Sequence, residues 1–223
     1  MIGYNNNYYD YVIKYIRETL PQTRGILKEM EEYAAYNHVP IVHPEVARLI
    51  LVLCKMLRPK SILEIGTAIG YSSILMSEAL EAGGKIVTIE RYRKMVELAR
   101  ENIKKAGLED TVEVLEGEAV DILPALKGSF DFIFMDAAKG QYLDFLPYCM
   151  DLLREGGVLV SDNVLYKGMV ATDTMVVRRK KTLVNRLRDY LYIICHHPLL
   201  ESTIIPIGDG VAISYKVNNK DMR

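Results

Sequence analysis

The chain has 223 residues, half of them apolar and 26% charged, with 28 lysines and arginines set against 29 aspartates and glutamates. That composition excludes a disordered chain, a collagen-like repeat and a disulfide-stapled mini-protein, and the length is ample for one buried core. A formal charge of −1 supplies no global basic field to draw the chain onto a nucleic acid.

In chain order, the first sixty residues read as helices. Tyr8–Leu20 stops before Pro21, Thr23–Tyr36 carries Ile26, Met30, Tyr33 and Ala34 at helical spacing, and Pro44–Leu57 opens with proline and glutamate in its first turn. The tyrosines at the start (Tyr4, Tyr8, Tyr9, Tyr11, Tyr15) are expected to pack rather than to stack on bases. The N-terminus has no basic segment followed by an apolar one, so no signal peptide is expected. The most apolar stretch, Ala47–Leu57, is about half the length of a membrane span and includes Arg48 and Lys55. Cys54, Cys149 and Cys195 lie far apart in apolar contexts and read as small buried hydrophobes of a cytoplasmic protein. His38, His43, His196 and His197 lack the carboxylate or cysteine neighbours of a metal site.

From residue 61 onward the pattern alternates. Ser61–Ile65, Lys85–Ile89, Val112–Leu115, Phe130–Met135 and Gly157–Ser161 read as strands, separated by helices at Tyr71–Leu80, Tyr92–Ala106, Val120–Leu126 and Gln141–Leu153. Strand–helix alternation with nearly continuous apolar strands predicts a parallel sheet covered on both faces. A long helix, Val177–Cys195, follows. Glu201–Pro206 and Val211–Val217, joined by Gly208-Asp209-Gly210, predict a closing hairpin and an antiparallel last strand. The economical organisation is a single domain over 1–223, with a helical extension (1–58) on an α/β core (59–223).

The first strand runs into a glycine loop, Glu64-Ile-Gly66-x-x-x-Gly70, and then into a helix start at Tyr71-Ser72. Glycines there let the backbone approach a ligand beyond the strand's carboxyl end. Glu90 ends the second strand, 24 residues after Gly66, where a carboxylate can accept from both ribose hydroxyls. The middle glycine of the dinucleotide fingerprint is missing, and the loop resembles motif I of class I S-adenosylmethionine (SAM)-dependent methyltransferases. The competing reading is a plain tight turn.

Strand four ends at Asp136-Ala-Ala-Lys139 and strand five at Asp162-Asn163, on the same sheet edge as the glycine loop. Two carboxylates and an amide form an all-oxygen donor set suited to Mg²⁺, not to zinc. Taken singly, each of these residues reads equally well as a helix cap or turn residue.

These motifs resemble the metal-dependent O-methyltransferases, the group of the catechol and caffeoyl-coenzyme A enzymes, from Val39-Pro40-Ile41-Val42 to Gly208-Asp209-Gly210. The resemblance implies a Rossmann-like fold with a seven-stranded sheet and an antiparallel last strand, and the use of SAM and Mg²⁺. It places the metal on Asp136, Asp162 and Asn163, and the catalytic pair at Asp136 and Lys139. Cofactor contacts fall on Val42, Glu64, Gly66, Gly70, Ser72, Glu90, Gly117, Glu118 and Asp136. An acidic Glu118 departs from the family's adenine-side segment and leaves that contact open. The resemblance also implies a homodimer.

Residues 178 to 188 hold six basic groups and no acidic one, which leaves −7 for the rest of the chain. On a helical wheel Leu183, Val184, Leu187, Leu191 and Ile194 gather on one face, while Arg178, Arg179, Lys181, Arg186 and Arg188 spread over the other. A solvated helix face normally mixes signs, whereas a face of one sign suits phosphates. With Ile65–Ser72, Asp136–Tyr142, Asp162–Gly168 and His197-Pro198, this run resembles bacterial tRNA 5-hydroxyuridine methyltransferases. That resemblance implies an anticodon-loop acceptor, with neither DNA nor a membrane as partner. Tyr166 reads either as a stacking platform for the base or as a lid or core aromatic. A small-catechol methyltransferase, and a non-enzymatic module that kept the fold, remain the alternatives.

Overall fold

The computed structural model describes residues 6–218, with side chains from Asp10 onward, so Tyr4 and the side chains of Tyr8 and Tyr9 lie outside the described residues. Three helices come first: α1 (Asn6–Thr19), α2 (Gly25–Asn37) and α3 (Pro44–Leu57). They are followed by β1 (Ser61–Ile65), α4 (Tyr71–Ser77), β2 (Lys85–Glu90), α5 (Arg93–Lys105), β3 (Val112–Glu116), α6 (Ala119–Ile122), β4 (Phe130–Met135), α7 (Tyr142–Leu152) and β5 (Leu153–Ser161). The chain ends with α8 (Lys181–His196), β6 (Leu200–Ile205) and β7 (Val211–Lys216). The seven strands form one sheet in the order β3-β2-β1-β4-β5-β7-β6. The first five run parallel, and β7 enters antiparallel between β5 and β6. The expected α/β architecture, with its antiparallel last strand, is the observed one.

Alternation along the strands divides the core into two layers. Ile62, Phe132, Phe134 and Val160 face α2, α3, α4 and α5, whereas Leu63, Ile65, Ile133, Met135 and Leu159 face α7 and α8. Register decides the rest. Ile65 pairs with both Ile89 and Met135, and Met135 pairs with Ser161. The next residue of each strand or loop (Gly66, Glu90, Asp136 and Asp162) therefore emerges side by side on one edge, at the reversal of strand order where open α/β sheets bind ligands.

Several expectations need correction. The helix expected over Val177–Cys195 begins with a separate 3₁₀ turn at Arg178–Lys180, and α8 starts only at Lys181. Strand five begins earlier than expected, at Leu153, with a register irregularity opposite Phe130 and Phe132. Tyr11 and Tyr15 do not pack; they are 71% and 69% exposed. Cys54 and Cys149 are buried as expected, but Cys195 is exposed. Among the described residues no helix is long and apolar enough to cross a membrane.

Phe132 is fully buried at the centre of the larger layer. Phe132→Ala should lose about 3–5 kcal/mol and lower the thermal midpoint measured by circular dichroism, since the close-packed sheet cannot collapse around the void.

Candidate active site

A cavity of about 780 Å³ opens on the carboxyl edge of the sheet. Val42, Gly66, Ser72, Glu90, Gly117, Glu118, Asp136, Lys139, Asp162 and Asn163 all line it. Two of the expected cofactor contacts do not: Glu64 and Gly70 lie behind the wall.

The glycine loop is held by the strands around it. Gly66 and Thr67 donate their N–H groups to the Ile89 carbonyl at 3.0 and 3.2 Å. Gly66 has φ +107°, and a Cβ there would sit 2.1 Å from the Asp136 carbonyl oxygen, so no other residue fits where this loop crosses the end of β4. Gly70 lies in the left-handed region at φ 86° and starts α4.

Glu64 belongs to the supporting layer. Its side chain is fully buried, and one carboxylate oxygen accepts from Ser73 and, at 2.6 Å, from Thr88. Thr88 spends its single proton on that bond, so Thr67 must donate to Thr88 across their 2.6 Å contact. Burial pushes the Glu64 carboxyl up to about 7, although Ser72, Ser73 and Thr88 pull it down, and its second oxygen has no partner. Glu90 is held by backbone alone: Ala68, Arg91 and Tyr92 each donate an N–H to it at 2.9 Å. The carboxylate is thus aimed before any ligand arrives.

At the end of β4, Lys139 Nζ lies 2.6 Å from Asp136 Oδ1. Asp162 is 1% exposed and accepts the Asn163 N–H at 2.7 Å. Burial, with the Asp136 carboxylate adding to it, pushes Asp162 up to about 7, against the pull of the Asn163 N–H and Lys139. Asn163 sits at φ 57°, a conformation that asparagine tolerates better than most residues. Two repelling carboxylates beside an amide oxygen fit a hard divalent cation, whose charge would replace that repulsion with attraction. Among the described residues no group of three or more Asp, Glu, His or Cys could hold a metal, so the set depends on the asparagine amide.

Beside this wall a second cavity of about 400 Å³ is lined by His43, Lys139, Asn163, Tyr166, Lys167, Gly208 and Asp209. Asp209 accepts the Lys167 N–H, and the Asp209 and Gly210 carbonyls receive the N–H groups of Leu165 and Val164 at 3.0 and 2.9 Å. Burial raises the Asp209 carboxyl, against the pull of that N–H and of His43, Lys139 and Lys167.

Sequence reasoning missed the residues that support the site. Tyr142 is fully buried, and its hydroxyl lies 2.9 Å from the Asp162 carbonyl and 3.1 Å from the Met135 carbonyl, bridging the ends of β4 and β5. Its ring meets Tyr190 edge-on at 5.5 Å, and the Tyr190 hydroxyl lies 2.5 Å from Ser161 Oγ. The apolar helical faces bearing these tyrosines were legible, but not that their hydroxyls would reach strand ends. At the rim, Arg91 lies 4.6 Å above the Tyr92 ring and 3.5 Å from Glu118.

The basic run divides. Arg178, Arg179 and Lys181 are exposed, and Lys180 Nζ lies 5.5 Å above the Tyr166 ring. Arg186 and Arg188 correct the expectation of a single outward basic face. Arg186 donates to the Gly140 carbonyl and to Asp144, and Arg188 to the carbonyls of Val170 and Met169 and to Asp173.

Gly66→Ala should abolish ligand binding in the larger cavity, because the added methyl group collides with the backbone that carries Asp136. Calorimetric titration with SAM beside a folded circular-dichroism spectrum tests this; undiminished binding would show that the loop can move aside.

The sequence profile described as O-methyltransferase matches residues 17–217. A caffeoyl-CoA O-methyltransferase of Medicago sativa is 30% identical over 93% of this chain and 89% of its own length. A catechol O-methyltransferase of Niastella koreensis is 36% identical over 74% of this chain and 78% of its own length. Among solved structures, the O-methyltransferase of Bacillus cereus in complex with SAH superposes with a TM-score of 0.82 at 30% identity, covering 92% of this chain and 97% of that one. TomG of Streptomyces achromogenes, involved in tomaymycin synthesis and solved with SAM, gives 0.82 at 28% identity over 93% and 96%. With the strand order, the glycine loop and the carboxylates on one sheet edge already described, these likenesses make the chain a member of the O-methyltransferase family, of the catechol and caffeoyl-CoA type.

Proposed function

We propose that this O-methyltransferase takes its methyl group from SAM and delivers it, with Mg²⁺, to the 5-hydroxyl of 5-hydroxyuridine at the tRNA wobble position, forming 5-methoxyuridine. SAM fits the larger cavity. Glu90, pre-aimed by three N–H groups, would accept from the ribose hydroxyls, and Gly66 and Ser72 line the same cavity. Asp136, Asp162 and Asn163 would hold the metal, which when bound lowers the pKa of an acceptor hydroxyl. Lys139 adds positive charge on the acceptor side, where the hydroxyl would give up its proton to solvent water and leave an oxyanion. The oxygen then attacks the sulfonium methyl: a C–O bond forms as the C–S bond breaks, and SAH leaves. Most of the acceleration comes from holding these groups in line.

The observation that carries the RNA acceptor is Lys180 lying over Tyr166 at the edge of the second cavity. Arg178, Arg179 and Lys181, the chain neighbours of Lys180, are exposed. Phosphates would meet the cations, while an unpaired anticodon-loop base could be splayed toward Tyr166 without opening a duplex. The second reading, a small catechol or a coenzyme A ester, is favoured by the activities named for the relatives above.

Asp162→Ala should abolish turnover and leave SAM affinity by calorimetry within about twofold, since Glu90, which would accept from the ribose hydroxyls, is held by backbone N–H groups that do not involve Asp162. Full activity of that variant, or of the wild type in excess EDTA, would refute the metal assignment. Arg178→Glu with Arg179→Glu should lower methylation of wobble-unmethylated tRNA by about tenfold or more and flatten its salt slope by about two, leaving a small catechol unaffected. Equal loss on both acceptors would show that this segment is structural.

A further inference from the structure

We infer that Arg186 and Arg188, on α8, are positioning residues: each braces one of the two loops that carry the acceptor side of the site. This rests on the reading of Lys139 given above. Arg186 holds the turn Lys139–Gln141 between β4 and α7. Its Nε donates to the carbonyl of Gly140, the residue after Lys139, and its Nη2 lies 2.6 Å from Asp144 Oδ2 in the first turn of α7. Arg188 holds the segment after Asn163. It donates to the Val170 carbonyl at 3.0 Å, to the Met169 carbonyl at 3.3 Å and to Asp173 at 2.7 Å. Both side chains are only about a third exposed, at 35% and 32%.

Three observations separate bracing from mere helix docking. First, α8 is already anchored by buried Val184, Leu187, Tyr190, Leu191 and Ile194, so its own placement does not depend on the two guanidiniums. Second, each arginine pairs with backbone carbonyls of the loops as well as with a carboxylate, and such a fork fixes main-chain position as a point charge cannot. Third, the loop that Arg188 grips contains Asn163, Tyr166 and Lys167 at φ 57°, 45° and 56°. Backbone in that region persists only where its surroundings over-determine it. On the other side that segment is held by Asp209 and Gly210; Arg188 closes the clamp. The two loops thus take their positions relative to Asp136 and Asp162 from one rigid helix.

The test compares Arg186→Gln, Arg186→Lys, Arg188→Gln and Arg188→Lys with the wild type, with Arg178→Glu/Arg179→Glu and with Lys139→Ala. Limited trypsinolysis followed by mass spectrometry reads cutting at the Lys139–Gly140 and Lys167–Gly168 bonds, which needs no acceptor. Arg186→Gln should speed cutting after Lys139 several-fold, and Arg188→Gln cutting after Lys167, each without affecting the other bond. Both should lower kcat about tenfold on tRNA and on a small catechol alike, with KM for SAM and filter-binding affinity for tRNA unchanged. The lysine variants should stay impaired. Unchanged cutting overturns the bracing. A loss of tRNA affinity matching Arg178→Glu/Arg179→Glu, with kcat intact, overturns it in favour of phosphate contacts. If Lys139→Ala keeps full activity the reading of Lys139 fails instead, and the cutting pattern still decides the bracing.

Discussion

The site depends on the register of four parallel strands. Because Ile65 lies opposite Ile89 and Met135, and Met135 opposite Ser161, one backbone ladder delivers Gly66, Glu90, Asp136 and Asp162 to a single edge at one height. A slip of one residue in any pair would turn a functional side chain into the core and an apolar one into the cavity. The ladder is secured from both faces by the two apolar layers, so the precision of the site is inherited from the packing of the sheet.

That edge is electrostatically expensive. Asp136 and Asp162 repel each other in partly desolvated surroundings, and Glu64 lies buried just below them. The fold does not pair all of this charge away. Lys139 answers Asp136, hydroxyls answer one oxygen of Glu64, and Asp162 receives only a backbone N–H. Unspent negative charge at a binding edge is what a site that takes a cation requires.

The loops above the ladder are held by groups outside it. Tyr142 bridges the ends of β4 and β5 from beneath, Tyr190 supports it, and Arg186 and Arg188 reach the same loops from the side. All four project from α7 or α8, so the helices that seal one face of the sheet also set the geometry of the acceptor side. The basic segment serves two purposes: its first turn faces solvent, while its later arginines turn inward to carbonyls and carboxylates. The near-zero net charge conceals both.

The strand–helix order, the glycine loop, the acidic residues at strand ends and the family were legible from the amino acids, because each rests on short-range patterning: a period of two or of 3.6, a glycine where φ must be positive, a carboxylate where a strand stops. Of the site residues singled out from the sequence, Val42, Glu90, Gly117 and Asn163 are among those that line the larger cavity. It took the packed fold to show that Glu64 supports the wall without lining it, that Tyr142 and Tyr190 brace strand ends, and that Arg186 and Arg188 point inward. A helical wheel gives the side of the helix a residue occupies, but a long flexible side chain ends wherever its best acceptors lie. Those acceptors are carbonyls and carboxylates more than ten residues away in the chain, brought within reach only when α8 packs on the sheet.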